Sequence, residues 1–178
     1  RLFTLLVIIS ITSTLFAQDF EPKDYFTKEF HANRREALRN IMPENSVMAV
    51  FAFPMRNFSN DVDYLYHQNP DLYYFTGYKE PDAVLFIFKD AQKDDKGNSY
   101  NELFFVQKRN PMQESWTGKR LGTEGVKERL GINMAYNGND FKDFAIDLSK
   151  FTNVIYSLPP DLVMSKTETP NLAGLVNS

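Results

Sequence analysis

Residues 61–88 read DVDYLYHQNPDLYYFTGYKEPDAVLFIF, and the division of this stretch decides the fold. A turn signal at Asn69-Pro70-Asp71 and a second break at Lys79-Glu80-Pro81 cut it into short pieces. The last piece, Ala83 to Phe88, has strand length and no polar residue, the pattern of a buried strand. Thr76-Gly77-Tyr78 joins it to the aromatic run before it, where glycine permits a backbone angle that a bulkier residue resists. Tyr64, Tyr66, Tyr73, Tyr74 and Tyr78 all fall within the stretch. Each brings a hydroxyl that needs a partner or water when its ring is buried. Tyr and Phe favour strands, so the plain expectation is a core strand pair flanked by half-buried tyrosines. The sharper expectation is that one tyrosine faces a ligand or a partner.

Upstream, Val47 to Phe53 (VMAVFAF) is a second apolar run of strand length, closed by Pro54. Downstream, Tyr100 to Gln107 (YNELFFVQ) reads as the return strand of an antiparallel hairpin with 83–88, and 152–157 as a further strand. Helices are expected at 27–41, 123–130 and 140–150. In the first, Thr27 is the N-cap and Phe30, Ala37, Leu38 and Ile41 form the inward face. That pattern leaves His31, Arg34, Arg35 and Arg39 to solvent. The second is capped by Thr123 and stopped by Gly131. The third turns Phe141, Phe144, Ala145 and Leu148 inward. Trp116, the lone tryptophan, is expected to lay its ring on the sheet. Strands alternating with helices give an α/β domain with a mixed β-sheet flanked by helices.

The chain has 178 residues, 43% of them hydrophobic, and a formal net charge of −3. This is the composition and length of one globular domain. Zero cysteines removes disulfides, thiolate zinc sites and cysteine nucleophiles together. Mild acidity with no clustered basic face argues against a nucleic-acid partner. Arg1 is followed by the uncharged run LFTLLVIISITSTLFAQ, which fits a secretory signal peptide over 1–17, cut after Ala17. The folded domain is then 18–160, closed by Pro159-Pro160, and 161–178 reads as a polar linker. A secreted or periplasmic location follows from that leader.

Candidate chemistry is sparse. His31 and His67 lie far apart, with no spacing that suits zinc. His67 reads as a hydrogen-bonding histidine at a strand end. Asp61 and Asp63 would share one face of a strand, but two carboxylates alone make a poor cation site. The acids between Lys89 and Asn98 miss the calcium-loop spacing, because Lys96 stands where an oxygen ligand is needed. Asn57-Phe58-Ser59 matches a glycosylation sequon. Neither a glycine-rich phosphate loop nor a nucleophile elbow is present.

A series of short motifs carries more. Arg56-Asn57, Asp63-Tyr64, His67-Gln68-Asn69, Leu72-Tyr73-Tyr74-Phe75-Thr76-Gly77, Glu80-Pro81, Ala83-Val84-Leu85, Glu114-Ser115-Trp116-Thr117-Gly118 and Arg120-Leu121-Gly122 occur in that order. In this series the chain resembles the N-terminal domain of the Xaa-Pro aminopeptidases (aminopeptidase P), shared with prolidase and creatinase. The resemblance implies the creatinase/prolidase N-terminal-like fold, a mixed sheet distantly like ribonuclease H. It also implies that no residue here is catalytic. In the family, two divalent metals, usually manganese, are held by a C-terminal catalytic domain whose ligands have no counterpart in this chain. The implied partners are that domain, further copies in a homo-oligomer, and a peptide with proline in second position. Tyr73 aligns with an aromatic that reaches the active-site mouth of a neighbouring subunit in oligomeric members; bacterial members often carry tryptophan there. A stand-alone or pseudo-enzyme binding module of the same fold, and a prolidase-type dipeptidase, are the alternatives.

Overall fold

The computed structural model of the chain describes residues 25–157 apart from 143 and 145. The leader and linker assigned to 1–17 and 161–178 lie outside the described residues. Helix α1 runs over Lys28–Ile41, with Thr27 Oγ1 accepting from the Phe30 amide at 3.3 Å. Pro43 cannot continue it. Strand β1 (Ser46–Phe51) follows, then a small ribbon of β2 (Asn57–Ser59) and β3 (Val62–Asp63). Helix α2 covers Pro70–Thr76, and the long hairpin is β4 (Val84–Lys93) with β5 (Ser99–Val106). Helix α3 (Pro111–Thr117) leads to α4 (Gly122–Gly125), which runs on as a π-helical turn over Val126–Leu130. Strand β6 (Ala135–Asn137), two 3-10 turns at Gly138–Lys142 and Leu148–Lys150, and β7 (Asn153–Ser157) complete the described chain.

Five strands form one mixed sheet in the order β6-β5-β4-β1-β7. β4 is central and antiparallel to both neighbours, placing Ala49 opposite Phe86 and Leu103 opposite Phe86 on the other side. β6 and β7 pair in parallel at the two edges. The alternation of the pleat sends Val47, Phe51, Phe86, Phe88 and Phe105 to one core and Val50, Leu85, Ile87 and Phe104 to the other. A strand covered on both faces has no polar side to show, which is why VLFIF reads as an unbroken apolar run. The mixed α/β architecture expected from the sequence is the one observed.

Several local expectations are corrected. Residues 70–76 form a helix, not a strand. Asn69 caps it by accepting from the Asp71 amide at 3.0 Å, Pro70 occupies its first turn, and Gly77 ends it in the left-handed region at φ 74°. Three end signals within nine residues override the strand preference of Tyr-Tyr-Phe. Residues 140–150 form no continuous helix among those described. Asp147 Oδ1 accepts from the Ser149 amide at 3.2 Å, a local bond that competes with the helical pattern. Phe141, Phe144 and Leu148 still pack on the sheet. Thr123 is not the cap of α4, which begins one residue earlier, although Gly131 stops the following turn at φ 69° as expected.

Helix α1 is turned relative to its expected face. Ile41 is 81% exposed and Ala37 is exposed, whereas His31 and Arg35 are both buried. Trp116 is 90% exposed on α3 instead of lying on the sheet. Strand β6 is an element with no forecast behind it; three residues are too few for a period to register.

Candidate functional site

Several motif residues, Gln68, Asn69, Glu80 and Leu121 among them, meet at one end of the sheet, where the chain leaves β1 and enters β4. Gln68 is the hub. Its Oε1 accepts from the amides of Asn69 at 2.7 Å and Phe53 at 3.3 Å, and its Nε2 donates to the Glu80 carbonyl at 2.8 Å. The Tyr66 hydroxyl lies 2.9 Å from both Gln68 Oε1 and the Phe53 carbonyl. Asn69 Nδ2 donates to the Phe51 carbonyl at 2.7 Å. Glu80 closes the cluster: Oε1 accepts from the Leu121 amide at 2.8 Å and Oε2 from the Tyr78 hydroxyl at 3.0 Å. Burial, then the Glu80 charge, push the Tyr78 hydroxyl well above its ordinary pKa. Asp82, at φ 54°, is also held above the ordinary carboxylate range by burial, with Arg120 opposing. Tyr66, Gln68, Asn69 and Glu80 thus act as struts that tie the loops of this end together.

Beside this cluster an open groove of about 300 Å³ runs along α2. Tyr25, Phe26, Tyr73 and His31 form its aromatic wall, and Lys28, Lys79, Arg129 and Glu80 its charged rim. The Lys79 ammonium sits 3.1 Å above the Tyr25 ring and 5.9 Å from the Tyr73 ring, a cation–π arrangement. Tyr73 is half-buried on α2 and borders the groove, so part of its ring packs and part faces the open space.

His31 rises into the same wall from α1. Its Nδ1 lies 2.8 Å from the Tyr74 carbonyl. A carbonyl only accepts, so Nδ1 carries the proton and donates. Burial holds the imidazole below its ordinary pKa, the Tyr74 carbonyl opposes this, and the Arg35 charge adds to it. One turn on, Arg35 donates from Nε to Glu102 Oε2 at 2.6 Å, from Nη2 to Oε1 at 3.1 Å, and from Nη1 to the Phe75 carbonyl at 2.7 Å. Arg39 Nη1 stands 3.5 Å from the same carboxylate. These side chains pin α1 to both β5 and α2. Residue-by-residue reading missed them because they are polar.

The other candidates disperse. His67 is exposed, off any strand, with Nδ1 3.4 Å from the Gln68 carbonyl, so the strand-end role is corrected. Asp63 accepts from Asn57 Nδ2 at 3.2 Å, and that amide also donates to the Asn60 carbonyl at 2.9 Å. The sequon asparagine is thus engaged in its own turn. Asp94 accepts from the Lys96 and Asn98 amides at 2.9 and 2.8 Å, as a hairpin loop requires. Among the described residues, no group of three His, Asp or Glu side chains could hold a metal ion. No helix among these residues is long and apolar enough to cross a membrane.

The model of one protein family, described as "Aminopeptidase P, N-terminal domain", matches residues 31–156. Xaa-Pro aminopeptidase 3 of Dictyostelium discoideum is 38% identical over 110 residues, covering 62% of this chain and 20% of that protein. The Xaa-Pro aminopeptidase of Escherichia coli is 36% identical over 123 residues, covering 69% of this chain and 27% of that protein. Among solved structures, Pseudomonas aeruginosa aminopeptidase PepP superposes with a TM-score of 0.67 at 31% identity, over 78% of this chain and 31% of that one. E. coli aminopeptidase P with the inhibitor Pro-Leu gives 0.67 at 29%, over 86% and 32%. The chain thus spans about a quarter of the length of the curated relatives it matches.

Proposed function

This chain belongs to the aminopeptidase P N-terminal domain family, and we propose that it is the non-catalytic N-terminal part of a secreted, metal-dependent Xaa-Pro aminopeptidase. Such an enzyme releases the residue that precedes proline at a peptide N-terminus. The domain's share of that work is to shape access to the active site and to take part in assembling a homo-oligomer. The leader read over 1–17 supports the secreted location. Two divalent metals, manganese in this reading, belong to the catalytic domain and would activate water there. The residues described here bind and orient; no step of hydrolysis is theirs.

The observation that carries the reading is the placement of Tyr73. Its ring stands on α2, at an open groove with an aromatic wall and a charged rim of three basic residues and Glu80. A tyrosine held this way offers an apolar ring face to a proline while its hydroxyl remains free to meet water or substrate. In the full-length enzyme, Tyr73→Ala is expected to raise KM for Xaa-Pro peptides roughly three- to tenfold, the range an aromatic contact supplies, with kcat little changed. An unaltered KM would remove Tyr73 from substrate access and leave the domain with assembly alone.

A further inference from the structure

We propose that His31 is the positioning residue for Tyr73, setting the direction in which that ring faces the groove; this rests on the reading of Tyr73 as the substrate-facing aromatic. The imidazole packs edge-on against Phe30 and Phe26, with centroids 5.4 and 6.2 Å away, and three further contacts link it to α2. Nδ1 donates to the Tyr74 carbonyl at 2.8 Å, which ties α1 to the residue next to Tyr73. The ring then stands edge-on to the Tyr73 ring, centroids 5.7 Å apart at 73°. On its other side, Nε2 fills space that only a glycine leaves vacant. A Cβ built on Gly77 would lie 2.8 Å from Nε2.

Gly77 is therefore needed twice. Its φ of 74° ends α2, and its missing side chain admits His31. Among the described residues, the ring and cation contacts of Tyr73 are with His31 and with Lys79, and the lysine stem is flexible. The rigid one of the two is the imidazole. Burial also favours its neutral form, so Nε2 bears no proton that would demand an acceptor beside Gly77. The sequence separation of 43 residues between His31 and Tyr74 makes this a tertiary device, invisible to any local pattern.

The test has two arms. In the chain labelled with fluorotyrosine, the Tyr73 resonance is assigned by its loss in Tyr73→Phe, then followed in His31→Asn, which keeps a donor near Nδ1 and removes the ring. A shifted or broadened Tyr73 resonance supports positioning; an unmoved one in a folded variant overturns it, whatever the kinetics show. If His31→Asn does not fold, the nuclear Overhauser contact between the two rings in the unaltered chain decides, and its absence overturns the proposal. In the full-length enzyme, His31→Asn is expected to raise KM as Tyr73→Ala does, roughly three- to tenfold. The double variant should be no worse than Tyr73→Ala alone, because His31 acts through Tyr73. Multiplied effects overturn positioning while leaving Tyr73 in its role. A Tyr73→Ala variant with normal KM removes that role, and the fluorine arm still judges the His31 contact separately.

Discussion

On one face of the sheet, Phe86, Phe88 and Phe105 meet Phe141, Phe144 and Phe151, ring against ring, with centroids 5.0 to 5.8 Å apart in the pairs Phe86–Phe141, Phe88–Phe151, Phe105–Phe141 and Phe105–Phe144. On the other face, Leu85, Ile87 and Phe104 meet a cover that brings His31 and Arg35 down with it. The first face is held by apolar burial and by stacked and edge-on ring pairs, which orient rings against rings but carry no hydrogen bond or charge to aim one helix at another. The second adds a bidentate guanidinium–carboxylate pair and an imidazole–carbonyl bond, which do. The difference separates bulk from aim: one face supplies hydrophobic stability, and the other sets where α1 and α2 sit and hence where Tyr73 points.

The largest effect is expected from emptying the apolar face. Phe105 is fully buried and touches rings from β4, β6 and the segment after it. Phe105→Ala should cost about 3–5 kcal/mol in urea unfolding, the range for a phenylalanine cavity in a packed core. That is a large part of the 5–15 kcal/mol typical of a whole domain. A loss near that of a surface change would mean the aromatic face is loosely packed and the contrast between the faces misdrawn.

Next comes the polar face. Arg35→Met leaves the Glu102 carboxylate without its bidentate partner, though Arg39 stays 3.5 Å away. With that residual partner, the cost should be about 2–3 kcal/mol, below the roughly 3–5 kcal/mol of a buried pair broken outright. Arg35→Met combined with Glu102→Leu should recover most of it, because no charge is then stranded. If the single change is silent and the double change harmful, the pair is not what holds α1. A double variant of normal stability, with a raised KM in the full-length enzyme proposed above, would show aim lost without bulk.

The two faces also differ in how far the sequence discloses them. VLFIF and ELFFV declare the central strands because apolar side chains are needed on both sides of the pleat. The helix that covers them is harder to orient. Phe30, Ala37, Leu38 and Ile41 make one stripe at helical spacing, and His31, Arg35, Leu38 and Met42 make another at i, i+4, i+7 and i+11. Hydropathy prefers the first stripe; the structure buries the second. What decides is Glu102 on β5, which is 67 residues away from Arg35 and rewards its burial. The α2 segment is hidden for the opposite reason: its caps at Asn69 and Gly77 are local and legible, but three consecutive aromatics point toward a strand until the caps are taken together. Tyr73 could be named from the motif series alone. Its supports, His31 and Gly77, required the tertiary contact between α1 and α2.

The smallest effect expected is in mild acid, and it should belong to the polar face alone. The folded chain holds His31 below the ordinary imidazole value of about 6.5, by burial first, with Arg35 adding to it and the Tyr74 carbonyl opposing. In the unfolded chain that value returns, so between the two values the unfolded state binds more protons. His31 therefore contributes its full stability above about pH 6.5 and loses it progressively as pH falls toward the folded value. Asp82, raised by burial, has the opposite sign and gains as pH falls, but it is present in both chains to be compared. Tyr100 and Tyr136, which border the apolar face, are pushed further into the alkaline range and do not enter. The melting temperature should drop between about pH 7.5 and about pH 5.5. It should drop less in His31→Asn, whose side chain cannot take up the proton. Equal drops in the two chains would mean that His31 is as easily protonated folded as unfolded, and that the polar face is wetter than its packing indicates.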